Sequence, residues 1–159
     1  MTDELGPRGV NRRSEICMTP GEVDAFLRER RSMVVCTMNG DSTIHAVAMW
    51  YGFLDDSIVF ETKRKAQKVR NLERNPTITC LVEDGTSYAE LRGVQLVGAA
   101  EIIDDPVQVW STCASVFDRY VASYDDSQKQ SVDAMANNRV AVKVHVGRIV
   151  TWDHRKLSR

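Results

Sequence analysis

This 159-residue chain lacks long apolar runs, paired cysteines, a strong net charge and any standard catalytic signature. No stretch approaches the roughly 18–20 apolar residues that a membrane-spanning helix needs. The segment before Cys17 carries Arg8, Arg12 and Arg13 without an apolar stretch, so it is not expected to act as a secretory signal. The formal net charge of -1 excludes a global field that would gather nucleic acid or an anionic membrane, so any anion binding must be local. Cys17, Cys36, Cys80 and Cys113 form no C-x-x-C pair, and His45, His145 and His154 lie far from them in sequence. Buried free thiols in a reducing cytoplasm are expected, with no metal. No Ser-His-Asp order, metal motif or G-x-G-x-x-G is present. That absence does not exclude an oxidoreductase, because a bound cofactor can carry the chemistry and leave few catalytic side chains to find.

What is present describes one ordinary globular domain, with 43% hydrophobic and 27% charged residues. Residues 1–18 read as a partly ordered tail and 19–157 as the domain. Thr19-Pro20-Gly21-Glu22 is a capping box with proline in the first turn, and Val23, Phe26 and Leu27 form the apolar stripe of a helix reaching about Arg30. Met33–Met38 reads as a strand, Asn39-Gly40-Asp41 as a hairpin turn, Ile44–Leu54 as its return strand and Ile58–Thr62 as a third strand after Asp55-Asp56-Ser57, together an antiparallel meander. A short helix over Lys65–Asn75 stops at Pro76. Strands follow over Thr77–Val82 and Tyr88–Ile103, with a bend or bulge at Gly93 or Gly98. Asp104-Asp105-Pro106 starts a helix to about Tyr120, a second short helix ends at Asn137-Asn138, and Val140–Trp152 is the last strand. Six antiparallel strands hide their edges best in a small barrel, so the fold class is α+β with helices flanking it.

Two segments could carry chemistry. Between Lys63 and Arg70 lie five positive charges: Lys63, Arg64, Lys65, Lys68 and Arg70. They sit at a helix start, where the helix dipole favours negative charge. The placement makes sense if backbone N–H groups and basic side chains converge on a phosphate, although a solvated basic turn has the same pattern. Ala46-Val47-Ala48-Met49-Trp50-Tyr51 is apolar on both faces and ends in two aromatics, which suits either core and dimer packing or a strand that faces a planar ring. His45 and His145 read as structural, and Tyr88, Arg92 and Trp152 as packing residues that could reach a pocket.

The stretches His45–Tyr51, Phe60–Pro76, Leu91-Arg92-Gly93-Val94 with Gly98, and Arg148–Asp153 resemble, in order and spacing, the pyridoxamine 5′-phosphate oxidase-like split β-barrel superfamily. Within it the chain more closely resembles the actinobacterial flavin/deazaflavin oxidoreductases, the branch described as using coenzyme F-420. The resemblance implies a six-stranded antiparallel split β-barrel that forms a homodimer, with cofactor sites at the subunit interface. It implies that Thr62, Lys63, Arg64, Lys65 and Lys68 meet the cofactor's phosphate-bearing tail, and that Ala48, Met49, Trp50 and Phe60 lie along its ring. The basic stretch His154-Arg155-Lys156 does not match the substrate-binding pattern of the pyridoxal phosphate-forming oxidases, so pyridoxamine phosphate is not the expected substrate. The expected activity is hydride transfer from reduced F-420 to an unsaturated or conjugated small molecule. An FMN-dependent oxidase or reductase, or a non-catalytic flavin, haem or tetrapyrrole binder with His45 or His145 as ligand, remains open.

Overall fold

The structure is a computed structural model that describes residues 12–29 and 31–158. Residues 1–11, which make up most of the expected tail, lie outside the described residues.

Helix α1 (Pro20–Arg28) begins as the sequence predicts. Thr19 Oγ1 accepts from the Glu22 N–H, and the Glu22 carboxylate accepts from the Thr19 N–H at 2.7 Å. The helix stops at Arg28, earlier than expected, where the Arg119 guanidinium donates to the carbonyls of Leu27, Arg28 and Glu29. A side chain 90 residues away thus caps carbonyls that the helix leaves unpaired.

Seven strands form one antiparallel sheet: β1 (Met33–Met38), β2 (Ile44–Met49), β3 (Gly52–Leu54), β4 (Ser57–Lys63), β5 (Thr77–Asp84), β6 (Arg92–Ile103) and β7 (Arg139–Asp153). Their order is β2-β1-β5-β6-β7-β4-β3. The expected six strands and simple meander need correction here. The return strand Ile44–Leu54 breaks at Trp50-Tyr51, and its halves pair with different partners, β2 with β1 and β3 with β4. These halves lie at opposite edges of the sheet yet are joined by two residues, so the sheet must curl until its edges nearly meet. That closure is the split barrel. Tyr51 occupies the break. It is fully buried, its hydroxyl donates to the Leu27 carbonyl at 2.6 Å, and the Arg119 guanidinium lies 4.7 Å above its ring.

The turns follow backbone conformation. Asp55 and Asp56 adopt φ of 47° and 60°, the left-handed pair that a tight two-residue hairpin uses. In the β1–β2 hairpin the left-handed residue is Ser42 (φ 68°), rather than the expected Asn39 or Gly40. The β6–β7 ladder shifts register between Val97 and Gly98, where the sequence predicts a bulge. A side chain at Gly98 would come within 2.0 Å of the His145 carbonyl. Tyr88–Glu90 form a 3-10 turn, so β6 starts later than expected.

Two cores result. The first fills the curl with Met33, Val35, Tyr51, Phe60, Ile78 and Leu96. The second lies between the sheet's outer face and helices α3 (Pro106–Tyr120) and α4 (Lys129–Ala136), and includes Val109, Cys113, Phe117, Val132 and Ala141. Cys80 and Cys113 are buried, and burial pushes both thiols up to about 12, so they stay protonated and pack as apolar groups. Cys36 is half-buried and Cys17 exposed. Among the described residues, no helix is long and apolar enough to cross a membrane.

Candidate functional site

Successive residues of a strand face opposite sides, which divides β4 cleanly. Phe60 and Thr62 point into the curl, whereas Glu61 and Lys63 point to the side covered by α3 and α4. Opposite them on β7, Lys63 pairs with Arg139 and Glu61 with Ala141.

Helix α2 (Gln67–Arg74) starts just beyond β4. Ala66 is its N-cap residue, no side chain caps it, and its first turn holds no acidic residue. The turn that leads into it is pinned by the Ala66 N–H to the Lys63 carbonyl at 2.9 Å and the Arg64 N–H to the Asn138 carbonyl at 3.0 Å. The Val69 and Arg70 N–H groups donate to the Ala66 carbonyl, which leaves those of Gln67 and Lys68 without a side-chain acceptor, and the helix's positive end adds to the surrounding lysines.

A cleft of about 470 Å³ opens beside this turn, lined by Lys63, Arg64, Lys65, Asn137, Asn138 and Arg139. It continues past Arg64 and Arg139 into a space of about 600 Å³ bounded by Asp104, Trp110 and Asp133. Arg64 donates through both terminal nitrogens to Asp104, in one case at 2.6 Å. Arg139 pairs with Glu61 at 2.5 Å. Among the described residues, the side chains of Lys63 and Lys65 have no hydrogen-bond or ion-pair partner.

A second, smaller cleft of about 260 Å³ is lined by Ser32, Ala48, Met49, Trp50 and Glu61. Trp50 is half-exposed and lies parallel to the Tyr120 ring at 4.9 Å, while the Tyr120 hydroxyl donates to the Arg31 carbonyl at 2.6 Å. The indole is thereby packed on one face by the Tyr120 ring. The Glu61–Arg139 pair joins the two clefts, since Glu61 lines one and Arg139 the other.

The expected site residues therefore divide into three groups. Lys63, Arg64 and Lys65 line the basic cleft, and Ala48, Met49 and Trp50 line the aromatic one. Thr62 and Lys68 are buried behind the basic cleft, with the Lys68 ammonium donating to Thr62 Oγ1 at 3.1 Å. Burial lowers the Lys68 pKa; Glu61 nearby opposes this and Arg139 adds to it. The third group is a correction. Phe60 is 0% exposed inside the first core, so its side chain cannot face a ligand. The strand's two-residue period brings its neighbour Glu61, and not Phe60, to the lining of the aromatic cleft.

Sequence reasoning misses Glu61, Arg139, Asp104 and Tyr120. Arg139 lies 78 residues from Glu61, and Asn138, the left-handed residue (φ 56°) before it, reads in sequence as a helix stop. A carboxylate directly after the apolar run Ile58-Val59-Phe60, as at Glu61, is the available signal. His145 Nε2 lies 2.6 Å from a Glu101 oxygen on the exposed surface, and His45 is half-buried with a buried Nδ1 that has no partner. Arg74 donates to the Met38 carbonyl and to Asn71, so it braces the first hairpin.

The profile described as pyridoxamine 5′-phosphate oxidase matches residues 19–153, most of the chain. The chain belongs to the pyridoxamine 5′-phosphate oxidase family. No curated protein matches it. Among solved structures, the conserved hypothetical protein Rv2991 from Mycobacterium tuberculosis is 41% identical, with a TM-score of 0.89 over 92% of each chain. A structure titled F420 reductase is 24% identical, with a TM-score of 0.63 over 79% of this chain and 94% of its own. The haem storage protein HutZ from Vibrio cholerae is 12% identical, with a TM-score of 0.66 over 85% of this chain and 96% of its own. These last two share the pyridoxamine 5′-phosphate oxidase fold with this chain, and their identity is too low to say more.

Proposed function

We propose that this family member is an oxidoreductase that binds coenzyme F-420 across the two clefts and reduces an unsaturated or conjugated small molecule. The carrying observation is the uncapped start of α2 beside Lys63 and Lys65, two lysines without partners. Such a turn presents backbone donors and positive charge to one place, which is the chemistry that seats a phosphate. These residues therefore suit the phosphate common to F-420 and FMN. Lys63 and Lys65 hold it beside the positive end of α2, with Arg64 and Arg139 at the rim. Trp50, supported by Tyr120, offers a plane for the ring, and Ala48 and Met49 line the same cleft. When bound, F-420 supplies the hydride. The protein's part is to fix the ring and acceptor in contact and exclude water.

F-420 also carries a polyglutamate tail. Arg70 is exposed on α2 and suits it, whereas Arg74 is engaged by the hairpin. The aromatic cleft, at about 260 Å³, is smaller than the roughly 300–1,000 Å³ usual for a small-molecule site. Ile44 and Trp50 are large apolar side chains left exposed at the two ends of β2, whose Ala46 and Ala48 are exposed as well. A second copy of the chain would cover them and complete the ring site, which favours a homodimer.

The same cleft accepts FMN, and the family match supports that second reading. Titrating apo-protein with each cofactor, followed by fluorescence, separates them: tighter binding of F-420 is expected, and a preference for FMN overturns the assignment. A Soret band in the purified protein would instead mark a tetrapyrrole binder, for which His45, with its unpartnered Nδ1, is the natural ligand.

A further inference from the structure

Four cationic side chains line the basic cleft, but two of them are already answered. Arg64 is held by Asp104 and Arg139 by Glu61, which leaves Lys63 and Lys65 as its uncompensated charges. Space does not limit what enters, because the 470 Å³ cleft runs on into 600 Å³ more. Charge does. The adjoining space carries the Asp104 and Asp133 carboxylates, and Asp133 is fixed there by the Trp110 indole N–H at 2.8 Å and by Lys129.

We infer that Asp104, acting through Arg64, is a specificity-determining residue that restricts the cleft to ligands with a single phosphoryl group and turns away nucleoside diphosphates and dinucleotides. The inference rests on the phosphate seat proposed above and adds a selection rule to it. A single phosphoryl group, with its one or two negative charges, is matched by Lys63 and Lys65 together. A second phosphoryl group pushed toward the larger space finds no uncompensated cation there, because Asp104 neutralises Arg64 and Asp133 is already paired with Lys129, and the guanidinium that could receive it spends two of its five N–H donors on Asp104. The Arg64–Asp104 pair lies on the surface and contributes little to holding the fold, which leaves it available for tuning the site. Glu61 limits Arg139 in the same way from the inner side.

Calorimetric titration with inorganic phosphate and with pyrophosphate, at pH 8 and low salt, tests this on wild type, D104N and the double variant R64A/D104N. D104N replaces an exposed side chain and leaves the Asp105 cap of α3 in place. Wild type should bind phosphate at least as tightly as pyrophosphate. D104N should tighten pyrophosphate by roughly fivefold or more, the order expected from one uncovered charge a few ångströms away, while phosphate changes less. The double variant should lose that gain. An unchanged ratio in D104N, a gain that survives removal of Arg64, or a wild-type preference for pyrophosphate overturns the selection rule and leaves the phosphate seat standing. Binding of neither anion by wild type overturns the seat itself, and the inference with it.

Discussion

Two basic regions of this protein use the same residue types to opposite ends. Around Arg92, positive charges are answered by neighbouring carboxylates: Arg92 by Glu29 and Asp84, Arg31 by the same two, and Arg155 by Asp153. Around the start of α2, Lys63 and Lys65 are left unanswered. A saturated network ties α1 to β5 and β6 and leaves an incoming anion little to bind. An unsaturated one does little for the fold and has charge available for a ligand. Counting basic residues would rank the two regions together, whereas their partners set them apart.

The largest expected difference comes from the saturated region. R92M leaves Glu29 and Asp84 short of a partner in a site where Arg92 is 14% exposed. It should cost about 2 kcal/mol, or roughly 4–8 °C in Tm by calorimetry, and leave cofactor affinity unchanged. A Tm within a degree of wild type would show the network to be ornamental. The same variant alters the acid limb. Burial raises the Glu29 and Asp84 pKa values, but the hydrogen bonds and charges of Arg92 and Arg31 outweigh it and hold both carboxyls below their usual range. Their stabilisation is therefore full above the ordinary carboxylate pKa of about 4 and fades as pH falls through the lowered values. R92M should flatten that acid loss.

The unsaturated region should respond the other way round. K63A/K65A is expected to weaken cofactor binding about tenfold or more, and to reduce its salt dependence, with Tm unmoved. Equal affinities in 0.05 M and 0.5 M salt for wild type would contradict a lysine-held phosphate.

Lys68 sits between the two regimes and should give the smallest effect. Burial lowers its pKa, so between that value and the ordinary lysine value of 10.5 the unfolded chain holds a proton that the folded chain does not. Stability should rise with pH across that window. Thermal melts of K68M should lack this alkaline rise. If they keep it, another group is responsible.

Much of this comparison is legible in the sequence and part of it is not. The capping box of α1, the Asp55-Asp56 turn, the Gly98 bulge and the Asp105-capped α3 are local, and short-range chemistry reveals them. The run from Lys63 to Lys68 also stands out in sequence, because it crowds positive charge where a helix start disfavours it. The break at Trp50-Tyr51 does not stand out. An unbroken apolar stretch can continue as one strand, and what divides it is a barrel that must close around the Tyr51 hydroxyl and its bond to Leu27. Phe60 differs from its expected place for a related reason: alternation says that Phe60 and Glu61 face opposite sides, and the direction in which the sheet curls determines which side becomes the core.

By itself, then, the sequence determines the elements, the family likeness and the place of the basic turn, since each depends on residues a few positions apart. Tertiary structure alone decides which of its cations remain uncompensated. Asp104 reaches Arg64 across 40 residues and Glu61 reaches Arg139 across 78. Charge neutralisation acts over a few ångströms of space, whatever the separation along the chain, so it becomes visible when the sheet has curled and brought these side chains together.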